Sequence, residues 1–314
     1  MPKNKWGDFM TETRESVTAK LCSFARAYHS NYEKNKIFDD YLAYDIMGKD
    51  EYEEIGSLIY HDFDISKINI ERSFKREELR EKLNEYIIPI PLARIKYAEE
   101  KLLEFARKHN DCQYVICGAG VDTFAFRNSN QNIKIFEIDH PATQKYKLER
   151  ISELEWNIPD NVNYIPVDFE KESINDELLE SGFDTRKKTF FSILGVSYYL
   201  TLSVFEETIK NISEISDNGS MIIFDYPDET TYSDEKTDYR FEFLSNVTSS
   251  LGETMQQGFS YDSLKSVLIK HGYSINEHMT SDKIQSLYFD GHKENYRAFK
   301  NVHIISAIKT KEEN

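Results

Sequence analysis

Apolar and polar positions change their period once along this chain. From Glu15 to about Met47, Val17, Leu21, Phe24, Ala25 and Tyr28 recur at steps of three and four. That is the spacing of one helix face, and Gly48 is a plausible stop. Residues 50–110 keep a helical composition of Glu, Lys, Arg and Leu, with Pro89 and Pro91 breaking the run. The stretch up to Lys108 reads as a further amphipathic helix with Pro91 in its first turn. The polar start, residues 1 to about 15, is expected to fray.

At Cys112 the pattern switches to short apolar runs. Residues 113–117 (QYVIC), 133–138 (IKIFEI), 162–167 (VNYIPV), 189–194 (TFFSIL) and 220–226 (SMIIFDY) read as five strands. Helix-length stretches at 141–155, 173–181 and 202–215 separate them. Strands alternating with helices predict a parallel sheet covered on both faces. Residues 227–256 are polar without a strong period; a helix at about 260–271, a strand at 273–279, a polar loop and a last strand at 301–308 follow. The expected division is a helical cap over 1–110 and an α/β core over 111–314 with an insertion at about 227–256.

Composition mainly excludes. The 39 Lys and Arg against 55 Asp and Glu leave a net charge of −16, a field opposed to nucleic acid and to anionic membrane surfaces. Twenty Phe and twenty Tyr supply a core, and no apolar run approaches membrane-spanning length. The start lacks the apolar centre of an export signal. Cys22, Cys112 and Cys117 form no CxxC pair, and the eight His are scattered, so the expectation is a cytoplasmic protein with no protein-built metal site.

In open α/β sheets ligands bind at the carboxyl ends of the strands. Gly118-Ala119-Gly120 follows the first strand, where glycine permits a tight turn and close backbone approach; the third glycine of a dinucleotide fingerprint is absent, since Thr123 stands there. Asp139 ends the second strand, 19 residues after Gly120. A carboxylate there can accept bonds from both hydroxyls of a ribose; the alternative is a helix cap. Asp168-Phe169 after the third strand suits an adenine amine and ring, or a plain turn. Leu194–Thr201 (LGVSYYLT) after the fourth strand sets Tyr198 and Tyr199 at the crevice or in the core.

The runs GAGVDTFAFR (118–127), IFEIDHPATQKYKLER (135–150), IPVDFE (165–170), GFDTRKKTFFSILGVSYYLT (182–201) and GSMIIFDY (219–226) together resemble the leucine carboxyl methyltransferase family, class I methyltransferases that use S-adenosylmethionine. Residues 18–48, 91–102 and 296–308 resemble the same family's helical start, Arg-bearing helix and last strand. The resemblance implies a Rossmann-like α/β fold: a seven-stranded, mostly parallel sheet with helices on both faces and an N-terminal helical cap. It implies Gly118, with Ala119 and Gly120, under the cofactor's methionine moiety, Asp139 at its ribose, and Asp168 and Phe169 at its adenine. It implies Arg94 at the cofactor's carboxylate and facing the acceptor, Lys20 near the same carboxylate, Tyr199 at the reaction centre, and Leu194 as a cofactor contact. Leu194 stands where the family often has Glu or Gln, Phe124 where it usually has Arg, and Ile116 where most other class I methyltransferases have an acid.

The reading is therefore an O-methyltransferase acting on a small-molecule carboxylate or hydroxyl, with a protein C-terminal carboxyl as an alternative acceptor. A nicotinamide-dependent oxidoreductase and a non-catalytic cofactor-binding relative are the other readings. Should a hydroxyl acceptor need a base, His29 and His140 are nearest by motif position, although capping or packing is the commoner use of such a His. The helical first third and residues 227–256 are expected to form the lid. The oligomeric state is not legible.

Overall fold

The computed structural model describes residues 16–62, 72–167, 172–232, 238–250 and 253–310. Helices α1 (Val17–Tyr32), α2 (Ala43–Met47), α3 (Lys49–Asp62), α4 (Arg72–Lys82) and α5 (Pro89–Lys108) precede the first strand, with a π-helical turn at Leu83–Ile87. The expected helix from Glu15 to Met47 is interrupted at residues 33–42. There the chain turns back on α1: Glu33 N–H bonds to His29 O at 3.0 Å, and Ile37 N–H donates to His29 Nε2 at 2.8 Å. Pro89 and Pro91 do not break the helical run. Both lie in the first turn of α5, where a missing N–H leaves no bond unmade.

The strands are β1 (Cys112–Cys117), β2 (Ile133–Asp139), β3 (Val162–Pro166), β4 (Thr189–Ile193), β5 (Met221–Pro227), β6 (Tyr273–Met279) and β7 (Val302–Lys309). They form one seven-stranded sheet in the order β3-β2-β1-β4-β5-β7-β6. The first five run parallel, and β7 is antiparallel to both its neighbours. The sheet grows outward from β1 in both directions, so the gap between the ends of β1 and β4 is the switch point of the strand order. The intervening helices are α6 (Phe124–Arg127), α7 (Pro141–Glu153), α8 (Ile174–Glu180), α9 (Leu202–Ile215), α10 (Tyr239–Ser250), α11 (Tyr261–Lys270) and α12 (Ser281–Ile284). Among the described residues no helix is long and apolar enough to cross a membrane.

Every residue of β1 and β4 is buried, as central parallel strands require. Alternate side chains serve opposite faces. Tyr114, Ile116 and Phe190 pack with Leu21, Phe24, Leu92 and Phe105 of α1 and α5. Val115, Phe136 and Phe191 pack with Phe205, Ile209 and Leu268 of α9 and α11. The N-terminal helices thus share one core with the sheet. Two stretches without a clear period are nevertheless helical in part. α10 lies within residues 227–256 and buries Phe241, while α12 and the π-helical turn Gln285–Phe289 bury Ile284 and Phe289 in the expected polar loop. Each is held by a few large side chains rather than by a repeating stripe.

A buried polar network ties the first helices to the turn after β1. Asp40, fully buried, accepts from Arg26 Nη1 at 2.5 Å and from Thr123 Oγ1 at 2.5 Å. Arg26 Nη2 donates to Val121 O at 2.7 Å. Arg127 Nε donates to Thr123 Oγ1 at 2.8 Å while its other nitrogens grip both oxygens of Glu99. Three residues of the GAGVDTFAFR run, Val121, Thr123 and Arg127, therefore serve the clasp between α1, α5 and the glycine turn. Removing one member leaves its partners charged and buried. Asp40→Ala is expected to cost about 3–5 kcal/mol, read as a lower midpoint in urea unfolding; a loss below about 1 kcal/mol would show that water can replace the carboxylate.

Candidate active site

The site lies where the turns after β1 and β4 meet the start of α1. Gly118 has φ +75°, and a Cβ there would stand 2.5 Å from Val196 Cγ2. Its N–H and that of Ala119 both bond to Ile138 O, at 2.9 and 3.1 Å, so the turn curls over the end of β2. Gly120 N–H donates to Asp139 Oδ2 at 2.5 Å, and His140 N–H donates to Asp139 Oδ1 at 2.7 Å. Each carboxylate oxygen has taken one bond and keeps a lone pair. Burial raises the pKa of Asp139, and the two N–H donors oppose it. Asp139 is not the cap of α7: that place belongs to His140, whose Nδ1 accepts from Ala142 N–H. Asp168 and Phe169 lie outside the described residues.

At the end of β4, Gly195 has φ +73°, and a Cβ there would stand 2.5 Å from Arg94 Nη2 and 2.7 Å from Arg94 Cζ. The guanidinium lies directly against that backbone. It is buried, with Nη1 donating to Asp225 Oδ2 at 3.1 Å and Nη2 to Cys22 Sγ at 3.2 Å. Nε is buried without a hydrogen-bond partner among the described residues. Burial works against the charge, but the Asp225 carboxylate outweighs it and the pKa is raised, so Arg94 stays cationic. Tyr198 donates to Asp225 Oδ2 at 2.8 Å. Tyr199 shares a 2.9 Å bond with Thr18 Oγ1, and burial raises its phenol pKa, so it remains protonated at neutral pH.

Arg94, Gly195, Tyr198 and Tyr199 line one cavity of about 60 Å³ with Thr18, Leu21 and Cys22 of α1. Ile87, Ile90 and Pro91 form another wall; Phe241, Leu244 and Thr248 of α10 with Met255 form the last. The walls are apolar apart from Arg94 and a few hydroxyl and thiol groups. Thr18 N–H donates to Glu253 Oε2 at 3.1 Å, so the segment after α10 closes onto the N-terminus of α1. The structure thus brings Arg94, Tyr199 and the turn after Leu194 together. The Leu194 side chain is partly buried against the core shared with α1 and α5. Lys20 sits among other partners: it pairs with Glu51 of α3 and lies 4.9 Å over the Tyr146 ring of α7.

The leucine carboxyl methyltransferase family model matches residues 19–213. The Bacillus subtilis protein YktD, which carries the name of an S-adenosyl-L-methionine-dependent methyltransferase, is 37% identical over 312 residues, covering 96% of this chain and 100% of its own. This chain belongs to the leucine carboxyl methyltransferase family. Two solved structures share the fold of this methyltransferase: a DUF574 family protein from Streptomyces avermitilis (TM-score 0.59, 10% identity, 95% of this chain and 99% of that one) and a Thermobifida fusca protein named as a methyltransferase (TM-score 0.53, 11% identity, 95% and 96%).

In this family member Phe124, at the position of the family's usual Arg, is a core residue whose ring meets Tyr114 edge-on at 5.3 Å. Asp225 and Cys22 were not legible as site residues. A lone acid inside the apolar run MIIFDY was the available signal for Asp225, because a buried carboxylate needs a partner. Neither His29 nor His140 lines the cavity. His140 caps α7. His29 is fully buried, accepts from Ile37 N–H and faces the Tyr296 hydroxyl at 3.3 Å. Burial lowers its pKa to about 4, from an ordinary value near 6.5. The neutral ring stabilises the fold fully above about pH 6.5, and that contribution is lost as pH falls toward 4. The unfolded chain binds the extra proton in that window. We expect His29→Gln to reduce the acid-induced loss of stability between pH 7 and 4 by about 2–3 kcal/mol, measured by urea unfolding at both pH values; parallel losses in the two proteins would reject a buried neutral His29.

Proposed function

We propose that this chain transfers a methyl group from S-adenosylmethionine to an oxygen of a small-molecule metabolite, a carboxylate by preference and a hydroxyl as the second reading. The observation that carries it is one cationic guanidinium, Arg94, held in a largely apolar cavity against the Gly195 turn at the sheet's switch point. The cofactor's site fits on structural grounds. The Gly195 turn lets the Arg94 guanidinium lie against the backbone, Arg94 Nε is buried without a partner among the described residues, and each Asp139 oxygen keeps acceptor capacity. Gly118, Ala119 and Gly120 would let the backbone approach the methionine part, Asp139 would accept from the ribose hydroxyls, and Arg94 would hold the carboxylate. Asp168 and Phe169 would serve the adenine; Leu194 and Lys20 are further contacts of this reading. When bound, S-adenosylmethionine supplies an electrophilic methyl group on a cationic sulfur.

The chain's own residues then do three things. The apolar walls exclude water, which strengthens each charge interaction inside. Arg94 and the Tyr199 hydroxyl orient the acceptor oxygen, and positioning provides much of the rate in an in-line displacement. With a carboxylate acceptor no proton has to be removed, which suits a cavity with no His, Asp or Glu lining it among the described residues. The first helices and α10 form the lid over this space. Radiolabelled methyl transfer into a cell extract tests the reading. Base-labile label in a small-molecule fraction is expected; base-stable label would replace the carboxylate with a hydroxyl or amine, and label in protein would point to a C-terminal carboxyl. Asp139→Ala is expected to weaken S-adenosylhomocysteine binding by about 1–3 kcal/mol in calorimetry; unchanged affinity would leave Asp139 as a turn-closing residue only.

A further inference from the structure

We infer that Asp225 is the positioning residue of the site: it holds Arg94 and the turn after β4 as one unit, and so sets the affinity for the amino-acid end of the cofactor. The proposal rests on Arg94 holding the cofactor's carboxylate. Asp225 lies inside β5, and its side chain is fully buried. Four polar contacts converge on it. Oδ1 accepts from Gly195 N–H at 2.7 Å. Oδ2 accepts from Arg94 Nη1 at 3.1 Å and from the Tyr198 hydroxyl at 2.8 Å. Its backbone O accepts from Ser197 Oγ at 2.5 Å. Each of the three groups bonded to the carboxylate is a donor, so both of its oxygens must be acceptors. A carboxylate meets that demand with both oxygens; an amide would turn its NH2 toward at least one donor.

The close approach of Gly195 to the guanidinium makes the arrangement a cradle. Arg94 can neither tilt toward the β4 turn nor leave Asp225 without exposing a buried charge. Nη1 is committed to Asp225 and Nη2 is bonded to a thiol, which leaves Nε and the remaining Nη protons for a ligand carboxylate. Asp225 does not line the cavity; it acts through Arg94 and Gly195.

Calorimetry with two ligands separates positioning from general support of the fold. S-adenosylhomocysteine carries the amino-acid carboxylate, and 5′-methylthioadenosine lacks it. Asp225→Asn is expected to weaken S-adenosylhomocysteine about 10-fold, with methylthioadenosine held within about two-fold. Tyr198→Phe, which removes one donor and keeps the charge pair, is expected to give a smaller loss on the first ligand only, and serves if Asp225→Asn does not fold. Equal losses on both ligands, or none on either, overturn the proposal. Arg94→Ala distinguishes the two layers. Loss of S-adenosylhomocysteine binding there, with Asp225→Asn unaffected, overturns the role of Asp225 alone. Unchanged binding in Arg94→Ala overturns the carboxylate reading and the proposal with it.

Discussion

A guanidinium cannot be buried in an apolar cavity without an anion beside it, and that constraint organises the centre of this molecule. Arg94 projects from α5 toward the sheet, and Asp225 meets it from inside β5. The charge pair is tolerable because the remaining capacity of the carboxylate is filled by Gly195 N–H and Tyr198. One consequence is geometric: the N-terminal helices, the turn after β4 and the fifth strand are referred to a single pair of oxygens. Another is electrostatic. The pair sums to zero charge, so the cavity wall carries N–H donors without a large uncompensated field.

A second polar network acts comparably at the other glycine turn. Asp40 gathers Arg26 and Thr123, and Thr123 in turn receives Arg127. Both glycine turns are thus anchored to α1 and α5, the first with the 33–42 segment and the second with β5. The cavity lies against the second turn, walled by α10 and by the segment whose Glu253 accepts from Thr18 N–H. Neighbours within one motif have different roles here. Gly118 and Gly120 shape the turn, whereas Thr123 and Arg127 hold it to the helices.

The strands β1, β4 and β5 were legible because each is a short apolar run buried on both faces, and α7 and α9 because a helix-length stretch separates two such runs. α10 and the turns around Ile284 and Phe289 were not, since isolated large side chains such as Phe241 anchor them without a period. The break after α1 was hidden for a different reason. The hydrogen bonds that turn the chain there run to His29 and Asp40, whose partners are distant in sequence or depend on the fold. Pro91 was legible as a first-turn proline of α5, whereas reading it and Pro89 as a break in the run misled, because a proline in a first helical turn and a proline that breaks a helix look alike until the boundary is known.

Of the candidate site, the glycine turns, the acid after β2 and Arg94 could be read from residue type, spacing and family resemblance. Local chemistry suffices for the turns and the acid: strand, turn and acid are close in the chain, and glycine readily adopts the required backbone. Tertiary structure alone decided that Asp225 faces Arg94 across 131 positions, that Cys22 touches the same guanidinium, and that Lys20 pairs with Glu51 of α3. Those are long-range pairings, set by which strand face meets which helix, and no local pattern encodes the meeting of two buried charges from opposite layers of the fold.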